Sequence, residues 1–282
     1  MNSRLIPKGY IDYIPSEAKA QSCLLGQLAL GYENNGFSLI STPTVELMSS
    51  LEVGMGPTLL KRAVKFFDFN GQLVLLRPDN TTPIARIVAA RMSSDPLPLK
   101  LYYHSPIFRQ CGEQGDTDIE TFQSGLEYIG ASGIEAETHI LKTCIEGLLD
   151  IGVSHFHVDI GHTDFTKGLS NDKKTALLTG DYLTLGSIPD RGPIDITEGH
   201  PDLLKLHDQI ARYKLDHYVT YNRGLVKGIH YYTGTLFEIY TKDTKQIIAS
   251  GGRYDTLLGK FGYDQPAVGI ALNLTTLQDY LT

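Results

Sequence analysis

Four short clusters of polar residues stand at predicted strand ends or turns, where their side chains could together bind a small polar molecule. They are Arg77-Pro78-Asp79-Asn80-Thr81, Arg109 with Gln123 and Glu127, Tyr231-Tyr232 with Glu238, and Arg253-Tyr254-Asp255. Each cluster alone has a commoner structural explanation. An arginine at a strand end usually makes a surface ion pair, and a tyrosine pair in a strand packs one ring and exposes the other. Four clusters in one chain are more specific than any of them alone.

Other chemistry is less well supported. His155 and His157 share one face of a predicted strand and His162 follows, but no third ligand stands at a fixed spacing. Partly buried strand histidines are therefore the preferred interpretation, and no metal or cofactor is expected. The glycine-containing stretches "GLSNDKKTALLTG" and "GGRYDTLLGKFG" lack the GxxxxGK[ST] pattern of a phosphate loop. No catalytic residue is predicted.

Composition limits the partners and the compartment. The chain has 282 residues and a formal net charge of −7, which argues against a broad nucleic-acid surface because such surfaces neutralise phosphates with Lys and Arg. The three cysteines (Cys23, Cys111 and Cys144) are far apart and show no metal-ligand spacing, as expected of a reduced cytoplasmic protein. No apolar run is long enough to span a bilayer, and the first residues lack a signal core.

Hydrophobic periodicity predicts the elements that must position the clusters. One helix is expected to open at Pro15-Ser16, with Ser16 as N-cap, and to end at Asn34-Asn35-Gly36. Two more are expected from Asn80 or Thr81 to about Met92 and over residues 134–151. The stretch "KFFDFNGQLVLLRPD" predicts a hairpin whose two-residue turn is Asn70-Gly71. Strands are also expected in "FSLISTPTVEL", interrupted at Pro43 as suits an edge or a strand end, and in "LPLKLYYHSPIFRQ", "TFQSGLEYIG" and "HFHVDIGH". This order predicts an α+β fold with one central, mostly antiparallel sheet flanked by helices.

The stretch over residues 166–215 differs from the rest because it mixes short helical pieces with "GSIPDRGPIDITEGHPD". It predicts a small helical insertion or a mobile excursion outside the sheet. The expected division is therefore a core formed by residues 1–165 and 221–282, with residues 166–220 as the insertion. After the insertion come a hairpin over residues 225–250, a glycine-rich turn at Gly251-Gly252, and a final strand and helix in "AVGIALNLTTLQDYL".

The order of the motifs resembles the catalytic core of histidyl-tRNA synthetase and its paralogues over nearly the whole chain. "LVKGIHYYTGTLFE" and "ASGGRYDTLLG" resemble that family's two histidine signatures, and "GFSLISTPTVE" resembles its dimer-forming motif 1. "LRPDNTTPIAR" resembles the LRPEGT segment, "FRQC" with "TFQSGLEYIG" resembles motif 2 and the next strand, and "PKGYIDYIP" also fits. The resemblance implies the fold of a class II aminoacyl-tRNA synthetase core.

The resemblance also implies a pocket for histidine. Asp79 and Thr81 would meet the amino group, although Asp79 is one carbon shorter than the usual Glu. Gln123 would orient the amino acid, and Glu127 would be an acceptor at the base of the pocket. The complete set of implied histidine-binding residues is Asp79, Thr81, Arg109, Gln123, Glu127, Tyr231, Tyr232 and Tyr254. The types are chemically suitable, since an ammonium pairs with a carboxylate and a hydroxyl, and an imidazole fits between flat walls.

Several departures from the family pattern remove positive charge that amino-acid activation with ATP requires. After Arg109 the loop is acidic, with Glu113, Asp116, Asp118 and Glu120 and no Lys or Arg; Cys111, Thr117 and Ile119 stand at positions of charged family residues. Lys227 and Thr276 stand where the family has arginines, and His230 replaces an aspartate. Lysine cannot reproduce the bidentate contacts of arginine.

These departures, and an end at Thr282 where a synthetase would continue into an anticodon-binding domain, resemble the regulatory paralogues of this family. The resemblance implies a non-catalytic subunit that activates the short catalytic subunit of ATP phosphoribosyltransferase, forms a homodimer through the motif 1-like region, and senses free histidine. The partner would convert ATP and phosphoribosyl pyrophosphate into phosphoribosyl-ATP. Two alternatives remain: a minimal ligase that activates histidine or a related amino acid, and a tRNA-binding or scaffold module with a vestigial pocket.

Overall fold

The computed structural model describes residues 5–110, 119–229, 231–242 and 246–281. Within these residues one large sheet contains nine strands in the order β1-β5-β6-β12-β11-β10-β7-β9-β8, and a smaller sheet has the order β2-β4-β3. The strands are β1 (Ser38–Leu39), β2 (Val45–Leu47), β3 (Val64–Phe67), β4 (Leu73–Leu76), β5 (Leu99–Phe108), β6 (Glu120–Ile129), β7 (Phe156–His162), β8 (Arg191–Gly192), β9 (Val219–Asn222), β10 (Thr235–Thr241), β11 (Ile247–Arg253) and β12 (Ala267–Asn273).

The large sheet is antiparallel from β5 through β6, β12, β11 and β10 to β7. Parallel pairing occurs only near its two edges among the described residues, between β1 and β5 and between β7 and β9. The prediction of an α+β fold with a central, mostly antiparallel sheet is confirmed.

Helices cover the sheet. They are α1 (Pro15–Asn34), α2 (Met48–Leu51), α3 (Pro57–Arg62), α4 (Thr81–Arg91), α5 (Ile134–Asp150), α6 (Asn171–Thr179), α7 (Tyr182–Leu185), α8 (Pro201–Arg212) and α9 (Leu274–Leu281). In the described part of the chain, no helix is both long and apolar enough to cross a membrane.

Alternation along the central strands separates a helix-covered face from a face that carries a cavity. On β6, Leu126 belongs to the main apolar core with residues of α1 and α5, whereas its neighbours Gly125 and Glu127 turn to the opposite face. A second apolar cluster on that opposite face joins α4, through Ile84 and Val88, to the sheet. One face of the sheet therefore packs in the main core, and the other face forms a binding surface beside α4.

Two predicted turn and cap details are wrong. Helix α1 has Ile14, not Ser16, as its N-cap, because Pro15 occupies the first helical position, where the lack of an N–H costs nothing. The Glu17 carboxylate accepts from the Ile14 N–H at 3.0 Å. In the β3–β4 hairpin the Asp68 N–H bonds to the Gln72 carbonyl at 3.0 Å, which makes a three-residue loop rather than a two-residue turn.

Three longer stretches also differ from expectation. The stretch "FSLISTPTVEL" is interrupted around Pro43 as expected, but its two parts join different sheets: β1 joins the large sheet and β2 joins the small one. The Gly251-Gly252 pair lies inside β11 and is not a turn. The expectation that the helical insertion lies outside the sheet is wrong for β8, which pairs with β9 at the sheet edge. The division into a core and an insertion over residues 166–220 itself remains a prediction.

Two sequence observations fall outside the described residues. Residues 111–118, which contain most of the predicted acidic loop, are not described, and neither is His230.

Candidate ligand-binding site

A cavity of about 540 Å³ lies over β6, β12 and β11, on the face of the sheet opposite the main core. Its walls come from the β4–α4 junction, the end of β5, the segment before β10 and the residue after β11. The residues that line it are Asp79, Asn80, Thr81, Tyr103, Arg109, Gln123, Ile229, Tyr231, Tyr232, Gln246, Ile247, Ala249, Ser250, Tyr254, Gly269, Ile270, Ala271, Asn273 and Thr276. Seven of the eight predicted site residues are in this set, and the eighth, Glu127, lies directly beneath it.

Glu127 forms the buried base of the site and is 1% exposed. The Thr81 hydroxyl donates to its Oε1 at 2.8 Å, and the Tyr254 hydroxyl donates to its Oε2. Burial raises the pKa of Glu127 to about 8; the two hydrogen bonds oppose this change, and the nearby Asp79 carboxylate adds to it. At neutral pH this carboxyl group is therefore mostly protonated and neutral.

Glycines in the strands make room for these side chains, and sequence reasoning missed them. Gly269 pairs with Glu127, and Gly125 pairs with Tyr103. An ideal Cβ at Gly269 would collide with the Glu127 carboxylate, and one at Gly125 would collide with the Tyr103 ring. A glycine inside a strand often marks such a close approach, so "QSGLE" and "AVGIA" did contain a signal. Tyr103, Asn273 and Ala271 are further cavity residues that were not predicted, and Asn80 was named in a polar cluster but not among the histidine-binding residues.

Asp79 presents a carboxylate at the start of α4. Its Oδ2 accepts from the Thr82 hydroxyl at 2.8 Å and the Thr82 N–H at 3.3 Å, and the Tyr231 hydroxyl lies 3.4 Å away. Its Oδ1 is buried without a hydrogen-bond partner among the described residues. Burial raises the pKa of Asp79, while the hydrogen bonds from Thr82 and the charge of Arg109 lower it. A buried acceptor of this kind gains most from a cationic donor such as an ammonium group.

A short hydrogen-bond chain orients Gln123. The Ser105 hydroxyl donates to Asn80 Oδ1 at 2.7 Å, and Asn80 Nδ2 donates to Gln123 Oε1 at 3.2 Å. Since the Gln123 oxygen is already used, its amide NH₂ remains as the donor on the cavity side. This arrangement would suit a carboxylate or another acceptor on a bound molecule.

Tyrosine rings form the apolar wall of the cavity. Tyr231 and Tyr232 have ring centroids 5.0 Å apart, and Tyr231 meets Tyr254 edge to face at 5.7 Å. Burial raises the pKa of Tyr231 and of Tyr254 well above the usual range, so both hydroxyls keep their protons. Such rings offer a flat apolar surface and a polar edge to a planar group.

Positive charge is scarce in the cavity. Among the described residues, Arg109 is the one Lys or Arg that lines it, and its Nε donates to the Pro78 carbonyl at 2.6 Å. Lys227 pairs with Glu238 and lines a neighbouring cavity of about 430 Å³. Thr276 does line the main cavity and carries no charge.

Two arginines of the predicted clusters are structural. Arg77 is 3% exposed, and its guanidinium donates to the carbonyls of Pro106 and Thr42, each at 2.7 Å. Arg253 pairs with Glu137 on α5 through two hydrogen bonds of 2.6 and 2.5 Å, on the far side of β11 from the cavity residue Tyr254. Both residues hold the elements of the site in place without lining it.

Comparison with known proteins agrees with this geometry. Residues 9–179 and 192–277 match the family model described as histidyl-tRNA synthetase. A protein from Syntrophotalea carbinolica described as an ATP phosphoribosyltransferase regulatory subunit is 31% identical, over 97% of this chain and 74% of that protein. The chain belongs to the histidyl-tRNA synthetase-like family of ATP phosphoribosyltransferase regulatory subunits. The family resemblance predicted from the sequence is therefore confirmed.

Other members of this family support the assignment. A regulatory subunit from Clostridium novyi is 30% identical, over 98% of this chain and 76% of that protein. A crystal structure from Bacillus halodurans, described as an ATP phosphoribosyltransferase regulatory subunit/histidyl-tRNA synthetase, superposes with a TM-score of 0.87. It is 26% identical, and the superposition covers 99% of this chain and 84% of that one. The family's fold thus extends over essentially the whole chain.

Proposed function

We propose that this chain is the non-catalytic regulatory subunit of a cytoplasmic ATP phosphoribosyltransferase in histidine biosynthesis. The names of its relatives support this role. The observation that carries it is the composition of the cavity, which keeps groups suited to an amino acid and has little charge suited to a triphosphate. The chemical step belongs to the short catalytic subunit, which this chain would bind and activate.

Free histidine is the effector that the cavity fits best. Its ammonium would pair with Asp79, whose Oδ1 is buried and unpaired within the described residues, and with the Thr81 hydroxyl. Its carboxylate would face the Gln123 amide and Arg109, and its imidazole would lie against Tyr232 and Tyr254 above Glu127. Each charged part of the molecule then meets a group of complementary charge or hydrogen-bonding type.

Regulation follows only if histidine binds the inhibited form of the complex more tightly than the active form. The pocket joins α4, β6, β11 and the segment before β10, so a ligand there contacts several elements at once. Histidine in this pocket would therefore affect the partner enzyme by changing the relative positions of these elements.

A homodimer through the motif 1-like region is part of the proposal. Several large apolar side chains on or beside the three-stranded sheet are exposed, including Phe67 at 70% and Phe69 at 96%. Val45, Leu47, Phe66 and Leu73 of the same sheet, and Leu39 of β1, are also exposed. Exposed apolar patches of this kind usually mark interaction sites, and a symmetric dimer would cover the same patch on both copies.

The ligase alternative is less well supported. Amino-acid activation develops negative charge at phosphate, which arginines or metal ions must stabilise. Here Arg109 is the one described basic residue of the cavity, and Lys227 is paired with Glu238. The tRNA-binding alternative is opposed by the net charge of −7.

The deciding experiment is reconstitution with a short catalytic subunit from the same organism. The two chains should co-purify, and phosphoribosyl-ATP formation should require this chain and be inhibited by histidine. The Asp79→Asn complex should retain the activation and lose much of the inhibition. Separate elution of the two chains, together with full activity of the catalytic subunit alone, would refute the regulatory role.

A further inference from the structure

Three side chains that commonly bind metal ions meet where β7 ends and α8 begins, outside the cavity described above. His162 is the last residue of β7, Asp164 lies in the turn that follows, and His200 directly precedes the first residue of α8. Asp164 Oδ2 lies 3.5 Å from His162 Nδ1 and 3.5 Å from His200 Nε2. One ligand atom from each residue lies within 4.8 Å of the other two.

The two distances from Asp164 match the spacing of ligands around a tetrahedral ion. Zinc lies about 2.0–2.2 Å from imidazole nitrogen and carboxylate oxygen, so neighbouring ligand atoms of a tetrahedral site are about 3.3–3.5 Å apart. The two imidazole rings lie side by side, with centroids 4.2 Å apart and planes tilted by 44°. We propose that His162, Asp164 and His200 bind a divalent transition-metal ion of the zinc type, with water completing its coordination.

The hydrogen bonds at the cluster favour a cation between these groups. The Asp164 backbone N–H donates to His162 Nδ1 at 3.2 Å, so this nitrogen carries a lone pair and not a proton. It therefore faces the Asp164 carboxylate oxygen as one acceptor faces another, at 3.5 Å. A metal ion between the two would remove this repulsion and would take the Nδ1 lone pair from the long N–H contact, and the neutral imidazole is the form that coordinates metals.

Competing partners at the cluster are weak. Lys167 approaches the other oxygen of Asp164 at 3.9 Å, and its side chain is 82% exposed, so this ion pair contributes little. Asp164 itself is half exposed, which gives an ion and its water access from solvent. The two histidines are largely shielded, which limits competition from solvent for their nitrogens.

The ion would connect two parts of the chain that are distant in sequence. His162 and Asp164 extend from the central sheet, and His200 stands at the start of α8, whose Leu203, Leu206 and Ile210 pack in the main core. A metal at this junction would fix α8 to the end of β7. The inference is independent of the proposed regulatory function, because it concerns different residues and predicts binding by the chain alone.

The test is zinc titration of the full chain carrying Cys23→Ser and Cys111→Ser, which prevents binding to thiolates. Calorimetry should show one equivalent of Zn²⁺, and the unfolding temperature should rise with zinc because a ligand that binds only the folded state stabilises it. Cobalt added instead of zinc should give the visible absorption bands of a four-coordinate nitrogen and oxygen site, without thiolate charge-transfer bands.

Variants separate this site from chance binding. His200→Ala and Asp164→Asn should each weaken zinc binding by at least about tenfold, since even loss of an outer-sphere partner costs ~10–100-fold. His217→Ala, which removes an exposed histidine outside the cluster, should bind zinc as the parent chain does. Asp164→Asn changes a half-exposed side chain, so it also guards against a folding defect in His200→Ala. Absence of zinc binding by the parent chain, or equal binding by all three variants, would overturn the proposal.

Discussion

Gly269 on β12 lies directly opposite Glu127 on β6, and the Glu127 carboxylate fills the space that a side chain at residue 269 would need. This relationship lets a carboxyl group lie flat beneath the cavity, where Thr81 and Tyr254 both donate to it. The base of the site is therefore built by a glycine and a glutamic acid on neighbouring strands.

Gly269→Ala should destabilise the protein and disrupt the pocket. The new methyl group must displace the Glu127 carboxylate from a well-packed site, and overpacking of this kind costs about 1–3 kcal/mol. Urea unfolding followed by circular dichroism measures the first effect, and calorimetric titration with histidine measures the second. Gly26→Ala is the matched control, because residue 26 is on exposed helix surface with no atom within 4 Å of an added Cβ. Equal stability of the two variants would contradict the overlap at Gly269.

Asp79→Asn should weaken histidine binding about tenfold or more. A charge-assisted hydrogen bond contributes roughly 1.5–3 kcal/mol, and each 1.4 kcal/mol is a factor of about ten in affinity. Calorimetry on the chain alone and in the reconstituted complex provides the measurement. Asp208→Asn, which removes the same charge from the exposed surface of α8, should leave affinity unchanged. Undiminished binding by Asp79→Asn would place the ammonium elsewhere.

The stability of the folded chain should fall as pH rises from about 4.5 to about 8, through Glu127. Its carboxyl group has an ordinary pKa of 4.5 when exposed and a pKa of about 8 when folded. Between these values the folded state holds a proton that the unfolded state has released, so this stabilisation is complete at low pH and lost as pH rises through 8. Burial also raises the pKa of other carboxyl groups, including Asp79 and Glu46, so they contribute a pH dependence of stability with the same sign.

Glu127→Gln isolates the contribution of Glu127 to that pH dependence. The difference in unfolding free energy between the parent chain and the variant should shrink or change sign as pH rises, because Gln stays neutral throughout. Urea unfolding at several pH values between 5 and 9 supplies the comparison. A difference that does not vary with pH would mean that Glu127 is ionised in the folded protein at neutral pH.

The purified chain should not catalyse histidine-dependent exchange between ATP and pyrophosphate. The phosphate groups of ATP would meet Arg109 as the one described basic residue of the cavity, with Thr276 and the paired Lys227 at family arginine positions. Radioactive pyrophosphate exchange tests this, with a histidyl-tRNA synthetase as the active control. Robust exchange by this chain would favour the ligase alternative.

Phe67→Asp should dissociate the proposed homodimer. A charge placed in an apolar seam must either be buried unpaired or remain in water, and both outcomes disfavour the interface. Sedimentation velocity of the parent chain and the variant gives the masses. Leu183→Asp is the matched control, since Leu183 is 96% exposed on α7, away from the three-stranded sheet. A parent chain that is monomeric at tens of micromolar, a range in which standard-size interfaces normally persist, would count against the dimer.

The sequence alone determined most of the secondary structure and seven of the nineteen residues that line the cavity. The helices over residues 15–34 and 134–150 and the strands around them follow from local periodicity, which depends on which residues alternate or recur along one segment. Asp79, Gln123, Tyr231 and Tyr254 were expected because the short motifs that contain them, and the order of those motifs, resemble a known family, which can be recognised without the structure. Errors such as Ser16 as N-cap occurred at element ends, where a neighbouring proline decided the outcome.

Only the tertiary structure decided which of these residues lie in one site and how the pKa of each carboxyl group is shifted there. The overlap of Gly269 with Glu127, and the raised pKa of that carboxyl, depend on strand register and burial, which no local pattern contains. Register and burial likewise turned Arg253 toward Glu137 and away from the cavity. His200 meets His162 for the same reason: packing of α8 against the core brings together residues that are far apart in the chain.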